Sequence, residues 1–102
     1  MDERIEHLSC DVIIVGCGVA GLYCALNLPR ELSIIMLAKT MLDECDSMLA
    51  QGGICVQHDT NDYMSFFEDT LRAGHFENRR ESVDLMIRAS RSVIDNLVSF
   101  GI

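Results

Sequence analysis

A chain of 102 residues has room for one domain at most, and a domain of that size buries only about two-thirds of the surface its unfolded form exposes. With 49% hydrophobic and 24% charged residues, the composition excludes a disordered chain and a membrane-embedded one. A net charge of −8 argues against a nucleic-acid surface, which needs clustered Lys and Arg; the only basic pair is Arg79-Arg80.

The longest apolar run near the start, Val12 to Val15, stops at Gly16, and nothing approaches the ~20 residues of a membrane helix. The acidic opening Met1-Asp2-Glu3 lacks the positive region that precedes a secretory core, so a cytoplasmic location is expected. Cys10, Cys17, Cys24, Cys45 and Cys55 are odd in number and form no C-x-x-C pair, which points to reduced thiols with neither a disulfide framework nor a zinc site.

In chain order, the first element is a strand over Asp11 to Val15, a β-branched run of the kind buried on both faces of a parallel sheet. A helix follows from Val19, with Leu22, Ala25 and Leu26 on one stripe and Pro29 halting it near Leu28. Ser33 to Ala38 is a second buried strand, and the three elements make a βαβ unit with a right-handed crossover. A polar loop around Asp43 to Asp46 leads to Ala50-Gln51-Gly52-Gly53-Ile54-Cys55-Val56, where paired glycines mark either backbone lying close to a ligand or a turn, before a short extended stretch.

Tyr63, Phe66, Phe67, Thr70 and Leu71 form a helical stripe that starts at Asn61 or Asp62, with Gly74 as the residue just past its end. A longer helix follows, opened by Asn78 and Glu81 as a capping-box pair, carrying Val83, Met86, Ile87, Ile94, Leu97 and Val98 on one face, and ended by Gly101. The fold class is therefore α/β: a parallel βαβ unit followed by two helices. Two strands are too few for a doubly wound sheet, so either the chain is a fragment or its missing strands come from elsewhere.

Gly16-Cys17-Gly18-Val19-Ala20-Gly21 is a full G-x-G-x-x-G placed between a strand and a helix, where a dinucleotide needs it. Gly16 permits the tight turn, Gly18 lets a pyrophosphate approach the backbone, and Gly21 lets helix and strand pack closely. The helix amino terminus then faces the diphosphate with unpaired N–H groups and the positive end of its dipole. A standard NAD site also expects an acid at the end of the second strand, to bind the ribose hydroxyls. Leu37-Ala38-Lys39 stands there, and Asp43 and Glu44 lie well into the following loop, so NAD is disfavoured.

Beyond this motif, Asp11 to Tyr23, Ala38-Lys39, Ser47-Met48-Leu49-Ala50-Gln51-Gly52-Gly53-Ile54 and Glu68-Asp69-Thr70-Leu71-Arg72-Ala73-Gly74 resemble the L-aspartate oxidase family in order and spacing, from about Cys10 to the end. The wider superfamily includes the succinate dehydrogenase and fumarate reductase flavoproteins. The resemblance implies the amino-terminal part of a Rossmann-like FAD-binding domain over 1–102, incomplete, with substrate-capping and carboxy-terminal helical domains absent. In quinone-linked members a histidine holds the flavin covalently; the corresponding position here is Asp46, which implies non-covalent FAD.

Carried over by resemblance, Cys17, Gly18, Val19 and Ala20 meet the diphosphate through backbone atoms, and Lys39 sits by the adenosine ribose. Ser47, Met48, Leu49, Ala50, Gln51, Gly52 and Gly53 line the ribityl chain and ring. Ser47 also reads as a helix cap and Lys39 as a solvated charge. The implied parent activity is oxidation of L-aspartate to iminoaspartate, with oxygen or fumarate as acceptor, for quinolinate and NAD biosynthesis. Quinolinate synthase is the implied transient partner.

His7, His58 and His75 sit in polar segments with no nucleophile signature, and no residue of the chain is expected to be catalytic. Two competing readings are a fragment of a membrane-associated succinate or fumarate flavoprotein, which Asp46 opposes, and a non-catalytic dinucleotide-binding module, which an exposed sheet edge opposes.

Overall fold

The computed structural model describes residues 4–41 and 44–102. Its element order is β1 (Val12–Val15), α1 (Val19–Asn27), β2 (Ile34–Leu37), α2 (Asp46–Leu49), α3 (Tyr63–Ala73) and α4 (Arg80–Ser99). The α/β class and the parallel strand pair are as expected. Met1–Glu3 and Asp43, used above for the leader and the loop, lie outside the described residues. The chain divides into two compact units, residues 1–52 and 53–102.

In the first unit β1 and β2 pair in parallel, from Val12 opposite Ile34 to Val15 opposite Leu37. Asp11 and Ser33 fasten the start of the pair: the Ser33 N–H donates to Asp11 Oδ2 at 2.8 Å and the Asp11 N–H to the Ser33 carbonyl at 3.0 Å. At the other end the Gly16 N–H donates to the Leu37 carbonyl at 2.8 Å, so the ladder runs into the glycine turn. The expectation of burial on both strand faces is not met. Ile13 is 62% and Val15 82% exposed, while Val12 and Ile14 are half-buried. The cause is the pleat: alternate side chains leave by opposite faces, and α1 lies against the face that carries Ile14. Leu22 and Leu26, the expected inner stripe of α1, are themselves largely exposed.

The expected polar loop after β2 contains a helix. Asp46 to Leu49 make a single turn, α2, preceded by Cys45 as its cap residue; one turn is too short to show a period in the sequence. The glycine-paired stretch after it bends at Gly52 and forms no strand among the described residues.

The second unit is a pair of helices around Phe67, Leu71, Val83 and Ile87, with Tyr63 and Phe66 packed against them. Ile87 is fully buried. The Tyr63 and Phe67 rings stack at 5.7 Å, the Arg80 guanidinium lies over Phe67 and that of Arg88 over Tyr63. Ile94 and Leu97 are half-buried, but Met86 and Val98 are exposed, so the apolar face of α4 is wider than the partner helix covers.

Two helix-end expectations are corrected. The capping box does not form: α4 is preceded by Arg79 without a side-chain cap, and the Asn78 amide instead donates to the Thr70 carbonyl at 3.4 Å. Asn78 stands one residue too early, and the frayed carbonyls of α3 are its nearer partners. Nor is Gly74 the left-handed residue after α3. It is the C-cap with φ −88°, and the left-handed residues are His75 (φ 53°) and Phe76 (φ 61°). Gly74 is small for another reason: a Cβ there would overlap the Asn78 side chain. Gly101 does end α4, at φ 89°.

Candidate functional site

The site is built where the strands of the first unit end. Gly16 leaves β1 at φ 108°, a left-handed conformation that a side chain resists, and so turns the chain sharply into α1. Gly18 is the cap residue of α1, extended at φ −75° and ψ −175°, and its carbonyl accepts the Leu22 N–H at 3.0 Å. Gly21, inside the helix, lies directly over the turn. A Cβ there would overlap the Gly16 carbonyl oxygen and stand 3.2 Å from Ile14 Cγ2. The three glycines thus have three separate causes: a torsion, a close approach and a helix-to-strand contact.

Ser47 completes the close approach. The Val19 N–H donates to Ser47 Oγ at 3.0 Å, and a Cβ on Gly18 would meet that oxygen at 3.1 Å. Ser47 is therefore a helix cap, but of α1 and not of the turn that carries it. Its hydroxyl rests on one of the N–H groups at the amino terminus of α1, the place that attracts anions. No acidic side chain stands in the first turn of α1 to compete for that place.

A cleft of about 300 Å³ opens beside this turn, lined by Gly16, Cys17 and Gly18 of the turn itself and by Ala38, Lys39, Thr40, Met41, Glu44, Cys45 and Asp46 from the chain after β2. It lies beyond the carboxyl ends of both strands, where open α/β sheets take their ligands. Its size, at the low end for ligand pockets, suits part of a dinucleotide. Of the residues singled out in the sequence, Gly16, Cys17, Gly18 and Lys39 share the cleft. Val19, Ala20 and Gly21 form the helix start behind it, and Ser47 reaches that start through its hydroxyl. Met48, Leu49, Ala50, Gln51, Gly52 and Gly53 are exposed and outside the cleft lining; Gly52 has φ 133°, and nothing lies within 4 Å of a Cβ at Gly52 or Gly53.

Thr40, Met41, Glu44 and Cys45 line the cleft without having been singled out as ligand-facing, and Asp46, singled out as the position of the flavin-linking histidine, lines it too. The available signal was topological: a loop that follows a parallel strand borders the crevice whatever its composition. Cys17 is buried and Cys45 half-buried, and all five cysteines are free thiols. Among the described residues there is no cluster of three or more metal-ligating side chains, and no helix is long and apolar enough to cross a membrane.

A strand, a glycine turn that only glycine can make, a helix amino terminus and a crevice at the strand ends define a nucleotide-binding βαβ unit. The profile of the FAD binding domain family matches residues 11–102, and the chain belongs to that family. It is 50% identical over 91 residues to an L-aspartate oxidase of Clostridium perfringens, which covers 89% of this chain and 21% of that protein. It is 44% identical over 95 residues to an L-aspartate oxidase of Clostridium acetobutylicum (93% of this chain, 22% of that protein) and 39% identical over 98 residues to one of Pseudomonas aeruginosa (95% and 18%). The chain spans about a fifth of the length of these curated relatives. No solved structure matches it.

Proposed function

We propose that this chain is the flavin-binding segment of a longer L-aspartate oxidase, and that the longer protein oxidises L-aspartate to iminoaspartate with oxygen or fumarate as acceptor. The observation that carries the FAD half of the reading is the Gly16–Gly21 turn packed under the start of α1, with Ser47 on the Val19 N–H. The aspartate half rests on the relatives' names and on identity that runs nearly the whole chain.

The residues present fit the cofactor. The extended backbone at Gly18 and the N–H groups at the start of α1 would hold the diphosphate, with the Ser47 hydroxyl as a further donor to it. Lys39, from the chain after β2, would lie by the adenosine ribose and offset the phosphate charge. Met48 to Gly53 would run along the ribityl chain and ring, where the N–H groups of paired glycines can donate to ring acceptors. The bound flavin would supply the two-electron redox chemistry. Asp46 stands at the position of the histidine that holds flavin covalently in quinone-linked relatives, and a carboxylate cannot make that bond, which favours non-covalent FAD.

In this reading residues 1–102 are part of an FAD-binding domain, and the groups that hold the aspartate carboxylates lie in sequence outside this chain. The longer enzyme would work in the cytoplasm, in de novo NAD biosynthesis, handing its unstable imine to quinolinate synthase in a transient encounter. The test is an equilibrium titration of the chain with FAD and, separately, with NAD, followed by flavin fluorescence and thermal stability, because a ligand of the native state raises its stability. Weak stabilisation by FAD, none by NAD, and no oxidation of L-aspartate are expected. Selective stabilisation by NAD would overturn the cofactor assignment, and turnover of L-aspartate by this chain alone would overturn the view that its catalytic groups lie elsewhere.

A further inference from the structure

A nucleotide-binding βαβ unit needs an acceptor for the hydroxyls of the adenosine ribose, and the usual one is a carboxylate at the end of the second strand. Here β2 ends in Leu37-Ala38-Lys39, which supplies a cation and no carboxylate. By chain position Glu44 is too far along to replace it. In the fold it is not: the Glu44 N–H donates to the Met41 carbonyl at 3.0 Å, and Met41 is itself part of the cleft wall. Glu44 thereby lines the same cleft as Gly16, Cys17, Gly18 and Lys39, and its side chain is exposed.

We propose that Glu44 is the ribose-binding acid of this site, displaced from the strand end onto the following turn and facing the adenosine hydroxyls across the cleft from the glycine turn. This rests on the FAD reading of the cleft. Two adjacent hydroxyls are a matched pair of donors for the two oxygens of one carboxylate, and hydrogen bonds to an ionised acceptor are about twice as strong as neutral ones. The opposite charges of Lys39 and Glu44 then have distinct tasks. The ammonium offsets the diphosphate, and the carboxylate accepts from the ribose while repelling any sugar that carries a phosphate in place of a hydroxyl.

Asp46 also lines the cleft and is the rival candidate. It opens α2, one residue before the serine whose hydroxyl rests on the amino terminus of α1. Its own helix start is a nearer partner for its carboxylate. Glu44 precedes that helix and follows Lys39 by five residues along the same lining.

The probe is ADP, the half of the dinucleotide that this cleft would meet, compared with 2′,3′-dideoxy-ADP, which lacks both ribose hydroxyls. Affinities on the order of millimolar suffice when amide chemical shifts of the isotope-labelled 102-residue chain are followed. The ratio of the two affinities is the quantity to read, because removing a negative charge beside the phosphates affects both ligands alike. The unsubstituted chain should prefer ADP by about tenfold, the loss expected when a hydrogen-bonded pair to a charged group is removed. Glu44→Ala should bring the ratio to about one with the Gly16–Gly18 shifts still present, and Asp46→Ala should leave it unchanged. A preference that survives Glu44→Ala, or collapses in Asp46→Ala, overturns the assignment while the nucleotide site stands. Absence of any ADP-induced shift at Gly16–Gly18 in the unsubstituted chain overturns the nucleotide reading itself, and the role of Glu44 with it.

Discussion

Residues 1–52 and 53–102 are similar in length, but different physics holds each together. In the second unit four interdigitated side chains, Phe67, Leu71, Val83 and Ile87, are buried between two helices. In the first, the one buried apolar side chain among the described residues is Cys17, and the order comes from backbone: a parallel ladder, a glycine turn and a helix pressed onto that turn. Apolar side chains at Ile13, Val15, Val19 and Leu37 remain open to solvent there. A ligand site built from backbone rests on small residues and N–H groups, where the other unit rests on side-chain packing.

If that contrast is right, the largest effect of any single truncation belongs to the second unit. Ile87→Ala removes the one large side chain that is fully buried among the described residues, and such a change costs about 2–5 kcal/mol; Ile87→Val should cost about 0.5–1.5 kcal/mol. A two-helix unit has little stability in reserve, so the alanine variant should lose helical circular dichroism near room temperature while the valine variant keeps it. Equal, small losses in both variants would mean that the helices are not held by this core.

In the first unit the sensitive position should be a glycine. Gly21→Ala places a methyl group against the Gly16 carbonyl and Ile14, and overpacking of this kind costs about 1–3 kcal/mol. Hydrogen exchange of the β1 and β2 amides should accelerate accordingly. Gly53→Ala has nothing within 4 Å of the added carbon and should lie within about 0.5 kcal/mol of the unsubstituted chain. Equal effects from the two glycines would remove the steric argument for the turn.

The same division explains what the sequence revealed. β1 and β2 lie within a residue of the expected ends, because a β-branched run closed by glycine has few other readings, and the α3 stripe places Phe67 and Leu71 in the core as its spacing requires. The glycine turn was legible for the same reason: each glycine has a local cause. The place of Glu44 in the cleft lining and the helix that Ser47 caps were not legible. Ser47 caps a helix that begins 28 residues earlier in the chain, and Glu44 lines the cleft five residues past the strand-end lysine, so neither relation leaves a period or a short-range motif. The open faces of β1 and α1 were missed because a continuous apolar run shows that a strand can be covered, and does not show what covers it.

A smaller effect should appear with pH, in the second unit. The Tyr63 hydroxyl donates to Asp84, which also accepts from Arg88 Nε at 2.8 Å. The Tyr63 bond, and after it the Arg88 bond, hold the Asp84 carboxyl below the ordinary 3.8. Asp84 above all raises the Tyr63 phenol above 10.0. A depressed acid contributes stability that is present above its unfolded value and lost as the pH falls through the folded one, here below 3.8. A raised phenol contributes stability that is present below 10.0 and lost as the pH rises through its folded value. The contribution of this pair should therefore be constant between these limits and weaken outside both. Tyr63→Phe should abolish the alkaline limb and bring the carbon-detected titration of Asp84 back toward 3.8; an unmoved titration would show that the hydroxyl does not bind the carboxylate.

The smallest expected effect is a gain. Both long helices end in the same motif, with the N–H two residues past the cap bonded five residues back: Phe76 to the Leu71 carbonyl at 2.8 Å, and Ile102 to the Leu97 carbonyl at 3.2 Å. The left-handed position is Gly101 after α4 but His75 after α3. A side chain in that conformation carries strain that glycine lacks, while glycine gives the unfolded chain more freedom. The two terms oppose each other, and relief of strain is the larger at a site held by two backbone bonds. His75→Gly should stabilise the second unit by about 0.5–1 kcal/mol, seen as a higher midpoint in denaturant at unchanged slope. Gly101→His should destabilise it, and by less, because the end of α4 lies at the chain terminus, where the last turn can fray without opening the Phe67–Ile87 core.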